Sequence, residues 1–210
     1  MQSHVIEIQP EGSNAIDSAT DEDLMQRYAL GDTAAFDELF ARHKGSVYSF
    51  IRGFITKEEM VDDLFQAVFI RLIKARKRYK PKAKFTTWLF TITRSVCIDE
   101  MRRTRNKKVI SLYPVYDTEQ HEQPVPEPRD TTPGPREMLH QTDLQQAIQE
   151  IILTLPDKQK EVLLLREKTD LTFADIAKML RCTTNTIKSR MHYALLTLRQ
   201  ELKERGFDSL

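Results

Sequence analysis

Two helical patterns separated by only three residues constrain the fold of this chain more than any other feature. Apolar side chains recur at three- and four-residue spacing over residues 172–180, and again over residues 184–203. The connection at 181–183 is too short for the two helices to lie side by side, so we expect them to cross steeply. Thr183 or Thr184 can cap the second helix, because a threonine oxygen accepts a hydrogen bond from a first-turn amide.

This layout is typical of a helix-turn-helix, whose second helix enters the DNA major groove by its N-terminal end. The side chains expected at that end can hydrogen-bond base edges or phosphates, and they are Thr184, Asn185, Lys188, Ser189 and His192. An ordinary helical hairpin with a solvated polar face is the alternative. This segment alone leaves both hypotheses open.

Charge is distributed unevenly along the chain, although its formal net charge is only +1. Residues 1–70 hold 5 basic and 13 acidic side chains, whereas residues 71–108 hold 14 basic and 2 acidic ones. Such a basic block attracts polyanions with a strength that falls steeply with salt. A solvated helix face could carry some of this charge, but the imbalance favours a nucleic-acid partner.

The apolar patterns predict an all-α fold with two small helical domains joined by a flexible linker. The first domain is expected at 21–105; in it, a basic loop at 74–85 precedes a helix that Thr86 or Thr87 can cap. The second is expected at 143–205. Residues 106–142 are acidic and hold six of the nine prolines, which predicts the linker. Residues 1–20 show no periodicity and are expected to form a disordered tail.

Several functional classes are disfavoured by what the sequence lacks. No apolar run approaches the ~18 residues of a membrane span, and the N-terminus lacks the blocks of a secretory signal. Cys97 and Cys182 have neither metal-ligand nor disulfide-framework spacing. We therefore expect a cytoplasmic protein without membrane insertion, metal or cofactor. We also expect no enzymatic activity, since no nucleophile–base spacing or phosphate-binding loop occurs.

Three blocks of the chain carry a family resemblance, DDLFQAVF at 62–69, FTTWLFTITR at 85–94 and TIKSR at 186–190. They resemble segments of bacterial RNA polymerase sigma factors of the sigma-70 family. FTTWLFTITR at 85–94, followed by DEMRR at 99–103, resembles the segment that recognises the promoter −10 element. DDLFQAVF at 62–69 resembles the segment that grips the polymerase. The −35-binding domain is matched by Leu155-Pro156, FADIA at 173–177 and TIKSR at 186–190. The three blocks follow the family's order and fall in two domains, one for the polymerase and the −10 element and one for the −35 element. Because relatives of the extracytoplasmic-function (ECF) subfamily have only these two domains, the chain is identified as a member of that subfamily.

The resemblance implies a dissociable subunit that binds core RNA polymerase, directs it to promoters and helps to open the DNA. Its polymerase contacts would be the clamp helices of the largest subunit and the flap of the second-largest subunit. The clamp helices would meet Asp62, Asp63, Gln66 and Phe69. The −10 element would meet Lys80, Lys82, Lys84, Arg94, Ser95, Asp99, Arg102 and Arg103. The −35 element would meet the helix residues named above, with Arg190 beside the DNA backbone. The resemblance also implies control by an anti-sigma factor.

Three residues depart from the family's usual pattern. Ala67 stands where the polymerase-binding segment usually has Glu, and Ser95 where many relatives have Asn. Arg181 stands where the turn commonly has Gly. Arginine adopts a left-handed backbone poorly, so the turn either differs from that of the relatives or accepts strain.

Two rival hypotheses make different use of the same residues. A helical regulator that binds an operator by itself accounts for 143–205 but not for the basic block or for 62–69. A helical adaptor that binds only proteins leaves the basic block unexplained. A transcription assay with purified components separates these hypotheses from the sigma-factor hypothesis. Only a sigma factor makes specific transcripts depend on both this protein and core polymerase.

Overall fold

The computed structural model describes the backbone of residues 19–110 and 135–207, and the side chains of 19–104 and 143–207. This part of the chain is helical and contains no β-strand, which confirms the predicted all-α class. Short 3-10 turns lie at Glu58–Met60 and Arg76–Arg78. The α-helices are α1 (Asp21–Ala29), α2 (Thr33–Phe54), α3 (Val61–Ala75), α4 (Phe85–Ile110), α5 (Pro135–Thr154), α6 (Asp157–Lys168), α7 (Phe173–Leu180) and α8 (Thr184–Glu204).

An aromatic cluster joins the N-terminal helices. The ring of Phe40 lies 4.8 Å from that of Phe69 and 6.1 Å from that of Phe65, so α2 and α3 interlock edge to face. Phe36 extends the cluster to Tyr28 of α1, at 4.8 Å. Each buried aromatic side chain contributes about 2 kcal/mol through the surface it removes from water. The cluster therefore fixes the position of α3, whose opposite face remains open.

The first turn of helix α4 is capped by a carboxylate from a residue far away in the sequence. The amide of Phe85 donates to Oε1 of Glu22 on α1 at 2.6 Å. The predicted cap at Thr86 or Thr87 is wrong, because the helix starts before both threonines. The predicted loop is also shorter than 74–85, since α3 continues to Ala75 and a 3-10 turn follows it. A cap supplied from 63 residues away leaves no local signal in the sequence.

The C-terminal helices pack directly on the N-terminal ones, with α6 in contact with both α2 and α8. At Gly53 of α2, an added Cβ would lie 2.5 Å from Cδ2 of Leu164 on α6. Leu164 is buried in one hydrophobic cluster together with Phe50 and Phe54 of α2. The two predicted domains thus share a continuous core in this arrangement.

Helical backbone extends into both ends of the predicted linker. Helix α4 reaches Ile110 and α5 starts at Pro135, so the span 106–142 is partly helical. The rest of the predicted linker, 111–134, and most of the predicted N-terminal tail lie outside the described residues. None of the helices described is long and apolar enough to cross a membrane.

Candidate nucleic-acid and polymerase interfaces

Helices α7 and α8 form a contacting pair joined by the predicted three-residue connection. Thr172 caps α7 in a reciprocal arrangement with Asp175, and Thr183 caps α8 by accepting from the Thr186 amide at 3.1 Å. Arg181 closes the turn with φ 52° and ψ 49°, the one positive φ at a non-glycine residue in the described chain. The turn therefore keeps a left-handed geometry and accepts its strain, about 1–2 kcal/mol for a residue with a Cβ.

The first turns of α8 present the predicted DNA-reading side chains. Asn185, Lys188, Ser189 and His192 are exposed, while Thr184 and Arg190 are partly buried. Ile187 is fully buried on the opposite face and anchors the helix. The helix N-terminus adds partial positive charge at this end. This face can accept a nucleic-acid backbone and place polar groups at base edges.

The basic loop before α4 is exposed at Lys80, Lys82 and Lys84. Its base is held by aromatic packing, because the ring of Tyr79 lies 5.0 Å from that of Trp88. Burial raises the pKa of Tyr79 to about 12. Trp88 is partly buried against the core, as expected for a structural residue rather than a free stacking platform.

The exposed face of α4 carries the predicted −10 residues. Ser95 and Asp99 are exposed one helical turn apart, and Arg102 and Arg103 continue the exposed surface. Both Ser95 and Asp99 are hydrogen-bonded by Arg71 of α3, whose Nη1 lies 3.3 Å from Ser95 Oγ and 3.0 Å from Asp99 Oδ2. No local pattern in the sequence identifies Arg71 as a partner of these residues, which lie 24 and 28 positions away.

Two of the cations predicted to contact DNA lie beside carboxylates of the C-terminal part of the chain while staying partly exposed to solvent. The Nε–H of Arg94 donates to Oε1 of Glu161, whose side chain is only 7% exposed. Lys84 Nζ lies 3.8 Å from both Asp170 and Asp175. In this arrangement both predicted DNA-contacting cations have carboxylate partners within the protein.

The open face of α3 matches the predicted polymerase surface at three of four residues. Asp62, Asp63 and Gln66 are exposed. Phe69 is 7% exposed and lies in the aromatic cluster, so it supports the helix from inside and does not form part of this face.

The exposed apolar residue Ile70 extends the open face of α3. It was not among the residues predicted for the polymerase surface. Ile70 is 48% exposed, four residues after Gln66 and away from the buried positions Leu64, Val68 and Leu72. Tyr48 of α2 is a second exposed apolar group that contacts α3, with its ring 5.7 Å from that of Phe65. A helical projection of residues 61–75 places Ile70 on the polar side, so the signal was present in the sequence.

The two cysteines sit in different environments. Cys97 is fully buried, and burial raises the pKa of its thiol to about 12, so it is not a reactive thiolate. Cys182 is partly buried in the turn between α7 and α8. Within the described ranges, no cluster of three or more His, Cys, Asp or Glu residues could hold a metal ion.

Two family models match the chain over most of these elements. The model described as Sigma-70 region 2 matches residues 39–107, and that described as Sigma-70, region 4 matches residues 151–200. The chain belongs to the sigma-70 family. The first match covers α3, the basic loop and most of α4, and the second covers the helix-turn-helix, so both interfaces lie within recognised sigma regions.

Several curated relatives that this sigma factor matches over most of their length are ECF sigma factors. It is 27% identical to the ECF RNA polymerase sigma-E factor of Haemophilus influenzae, over 83% of this chain and 91% of that protein. It is also 27% identical to the ECF sigma factor SigW of Bacillus subtilis, over 83% and 92%. These matches confirm the ECF assignment of the chain and its role in transcription initiation with RNA polymerase at promoters.

Solved structures show the same fold. The sigma factor RpoE of Bartonella quintana, solved with the anti-sigma factor NepR, superposes with a TM-score of 0.62 at 21% identity, covering 80% of this sigma factor and 96% of RpoE. CnrH, solved with the cytosolic domain of CnrY, gives 0.61 at 20% identity, covering 89% and 99%.

Proposed function

We propose that this sigma factor binds core RNA polymerase through the open face of α3 and reads promoters with two separate surfaces. The −10 element is bound by the exposed face of α4 and the basic loop before it, and the −35 element by the first turns of α8. The observation that carries this assignment is the exposed Ser95–Asp99 pair, flanked by Arg102, Arg103 and the exposed lysines of the loop.

The −10 surface has the chemistry needed to hold opened DNA. Lys80 and Lys82 are exposed point charges that can contact phosphates, and their contribution should fall with added salt. Ser95 and Asp99 can hydrogen-bond the edge of an unstacked base. Unstacking a base costs a few kcal/mol, which such contacts offset once the strand is held.

The polymerase surface combines acidic, amide and apolar groups. Asp62, Asp63 and Gln66 suit a basic partner surface, and the exposed Ile70 adds apolar area of the kind found at the centre of interfaces. With Ala67 in place of the Glu usual in relatives, Ile70 and Tyr48 take a larger share of this contact.

The N-terminal helices α1–α4 and the C-terminal helices α5–α8, here called the two units, pack against each other. This packing supports a requirement for polymerase in promoter binding. Arg94 and Lys84 lie beside carboxylates of the C-terminal unit, so a DNA phosphate must compete with those carboxylates for both cations until the two units separate. Core polymerase would hold the units apart and at the spacing of the promoter elements. An anti-sigma factor, like those solved with the related folds, would act oppositely by preventing this separation.

The test is reconstituted transcription with purified core polymerase, the sigma factor and promoter fragments. We expect specific transcripts and permanganate-reactive thymines near −10 only when all three are present. Asp62→Lys and Gln66→Lys should each weaken core binding, whereas Asp37→Lys, at an exposed position of α2, should not. The proposal fails if transcripts never depend on the protein while the protein alone binds a specific duplex site tightly.

A further inference from the structure

We propose that Arg71 is a positioning residue for −10 recognition, which holds Ser95 and Asp99 so that they offer one donor and one acceptor to an unstacked base. The inference rests on the proposed function, since it concerns how the −10 surface selects its base. Arg71 lies on α3, the helix assigned to the polymerase, whereas both of its partners lie on α4.

The contacts of Arg71 span the two helices at an exposed point. Its Nη1 donates to Oδ2 of Asp99 at 3.0 Å and to Oγ of Ser95 at 3.3 Å. The side chains of Arg71 and Asp99 are 46% and 51% exposed. An ion pair this exposed contributes about 0–1 kcal/mol to the free energy of unfolding. A purely stabilising role therefore explains the Arg71–Asp99 pair poorly.

The hydrogen bonds from Arg71 decide what Ser95 and Asp99 can offer a ligand. The Ser95 oxygen accepts from Arg71, so its own hydrogen is left to donate. The Asp99 carboxylate can only accept, and one of its oxygens is engaged by Arg71. The pair therefore presents an O–H donor and a carboxylate acceptor one helical turn apart. This pattern fits a base with an amino group beside a ring-nitrogen acceptor, which adenine and cytosine have and thymine lacks.

Arg71 also compensates the charge of Asp99. A bare carboxylate on a DNA-binding surface repels phosphates within a Debye length of about 8–10 Å. With the guanidinium of Arg71 at 3.0 Å, Asp99 can approach the strand with less repulsion. Removing Arg71 should therefore harm base selection and close approach at the same place, without touching the −35 surface on α8.

The experiment measures base preference at every −10 position with reconstituted holoenzyme. Promoters carrying each of the four bases are compared for the wild type, Arg71→Ala, Arg71→Lys, Asp99→Ala and the double variant Arg71→Ala/Asp99→Ala. Affinity for core polymerase is measured separately by titration. The matched control is Lys74→Ala, which removes one positive charge from an exposed residue of the same helix, where the structure gives Lys74 no ion pair or hydrogen bond with the described residues.

We expect Arg71→Ala to lower the preference at one −10 position about tenfold while leaving −35 preference and core affinity unchanged. Arg71→Lys should restore only part of it, because an ammonium group keeps the charge but not the planar donor geometry. The double variant should be no worse at that position than Asp99→Ala, since the two residues act as one unit. Lys74→Ala should keep the wild-type profile.

Two results would overturn the inference. One is an Arg71→Ala profile identical to the wild type at all −10 positions. The other is a uniform loss at every promoter together with lower core affinity, which would make Arg71 a polymerase contact. Failure of the proposed function looks different, because the wild-type holoenzyme itself would then show no −10 preference.

Discussion

Arg94, on the helix α4 that carries the proposed −10 surface, donates its Nε–H to the buried carboxylate of Glu161 on α6, which packs against the proposed −35-binding helix α8. The carboxylate of Glu161 and a DNA phosphate would thus compete for the same guanidinium. Lys84 shows the same competition more weakly, with two carboxylates at 3.8 Å. Packing of the two units would therefore compete with the proposed DNA contacts at these cations.

Removing the charge of Glu161 should release Arg94 for DNA. Glu161→Gln keeps the size of the side chain but loses a charge-assisted hydrogen bond of about 1.5 kcal/mol. We expect the free protein to bind a single-stranded −10 oligonucleotide up to about tenfold more tightly, measured by fluorescence anisotropy. Glu167→Gln is the matched control, because Glu167 is exposed on the same helix. Equal affinities for the wild type and Glu161→Gln would contradict the competition.

The close approach of α2 and α6 at Gly53 gives a steric test of the same interface. In Gly53→Ala the new methyl group would lie 2.5 Å from Cδ2 and 3.2 Å from Cδ1 of Leu164, which is buried and has little room to move. We expect the two units to separate, with a larger radius of gyration by small-angle X-ray scattering.

Gly45→Ala is the control for this variant, since Gly45 lies on the same helix and a Cβ there meets no atom within 4 Å. Both substitutions favour helix by about 1 kcal/mol, so only the steric contact distinguishes them. Identical scattering from the two variants would show that the interface tolerates the methyl group.

Periodicity predicted most of the helices because a buried stripe is a local property of the sequence. It placed the α7–α8 pair and the exposed residues Asn185, Lys188 and His192, and it limited the α8 cap to Thr183 or Thr184, of which Thr183 is the cap. It missed contacts between distant segments, such as the Glu22 cap on Phe85 and the bonds of Arg71 to Ser95 and Asp99. Phe69 was assigned to the polymerase surface because motif resemblance carries residue identity, whereas the direction of the side chain depends on packing against Phe40.

The contact between α1 and α2 predicts a specific loss of stability at low pH. Burial alone would raise the pKa of Asp21, but hydrogen bonds and charges from His43 and Arg42 bring that pKa below its usual value of 3.8. A lowered pKa means that the ionised form stabilises the fold above about pH 4. That contribution is lost as the pH falls through the pKa of the folded state.

Asp21→Asn should therefore lower the free energy of unfolding by about 1–2 kcal/mol at pH 7. The difference from the wild type should shrink as the pH falls below about pH 4, as measured by urea denaturation at each pH. Asp37→Asn, at an exposed site on α2, should show little difference at any pH. A difference for Asp21→Asn that persists unchanged below pH 4 would exclude the charge as its cause.

The two promoter surfaces predict separable effects of two lysines. Lys188 is exposed in the first turns of α8, where a side chain can reach base edges, and Lys82 is exposed in the loop before α4, where it can hold the opened strand. Lys188→Ala should reduce discrimination between correct and altered −35 elements about tenfold, with normal −10 opening. Lys82→Ala should weaken opening similarly at all promoters and lower the salt-dependence slope by about one phosphate contact.

Transcript levels from promoters altered at −35 or at −10, combined with permanganate reactivity near −10, measure both effects in the same holoenzyme. Lys168→Ala is the control, because it removes one exposed positive charge from α6, outside both surfaces. If Lys188→Ala and Lys82→Ala shift the same promoter element, the two surfaces do not act separately. Such a result would exclude the assignment of base selection to Lys188 and of phosphate contact to Lys82. A contact that selects bases changes sequence preference, whereas a phosphate contact changes affinity for every sequence alike.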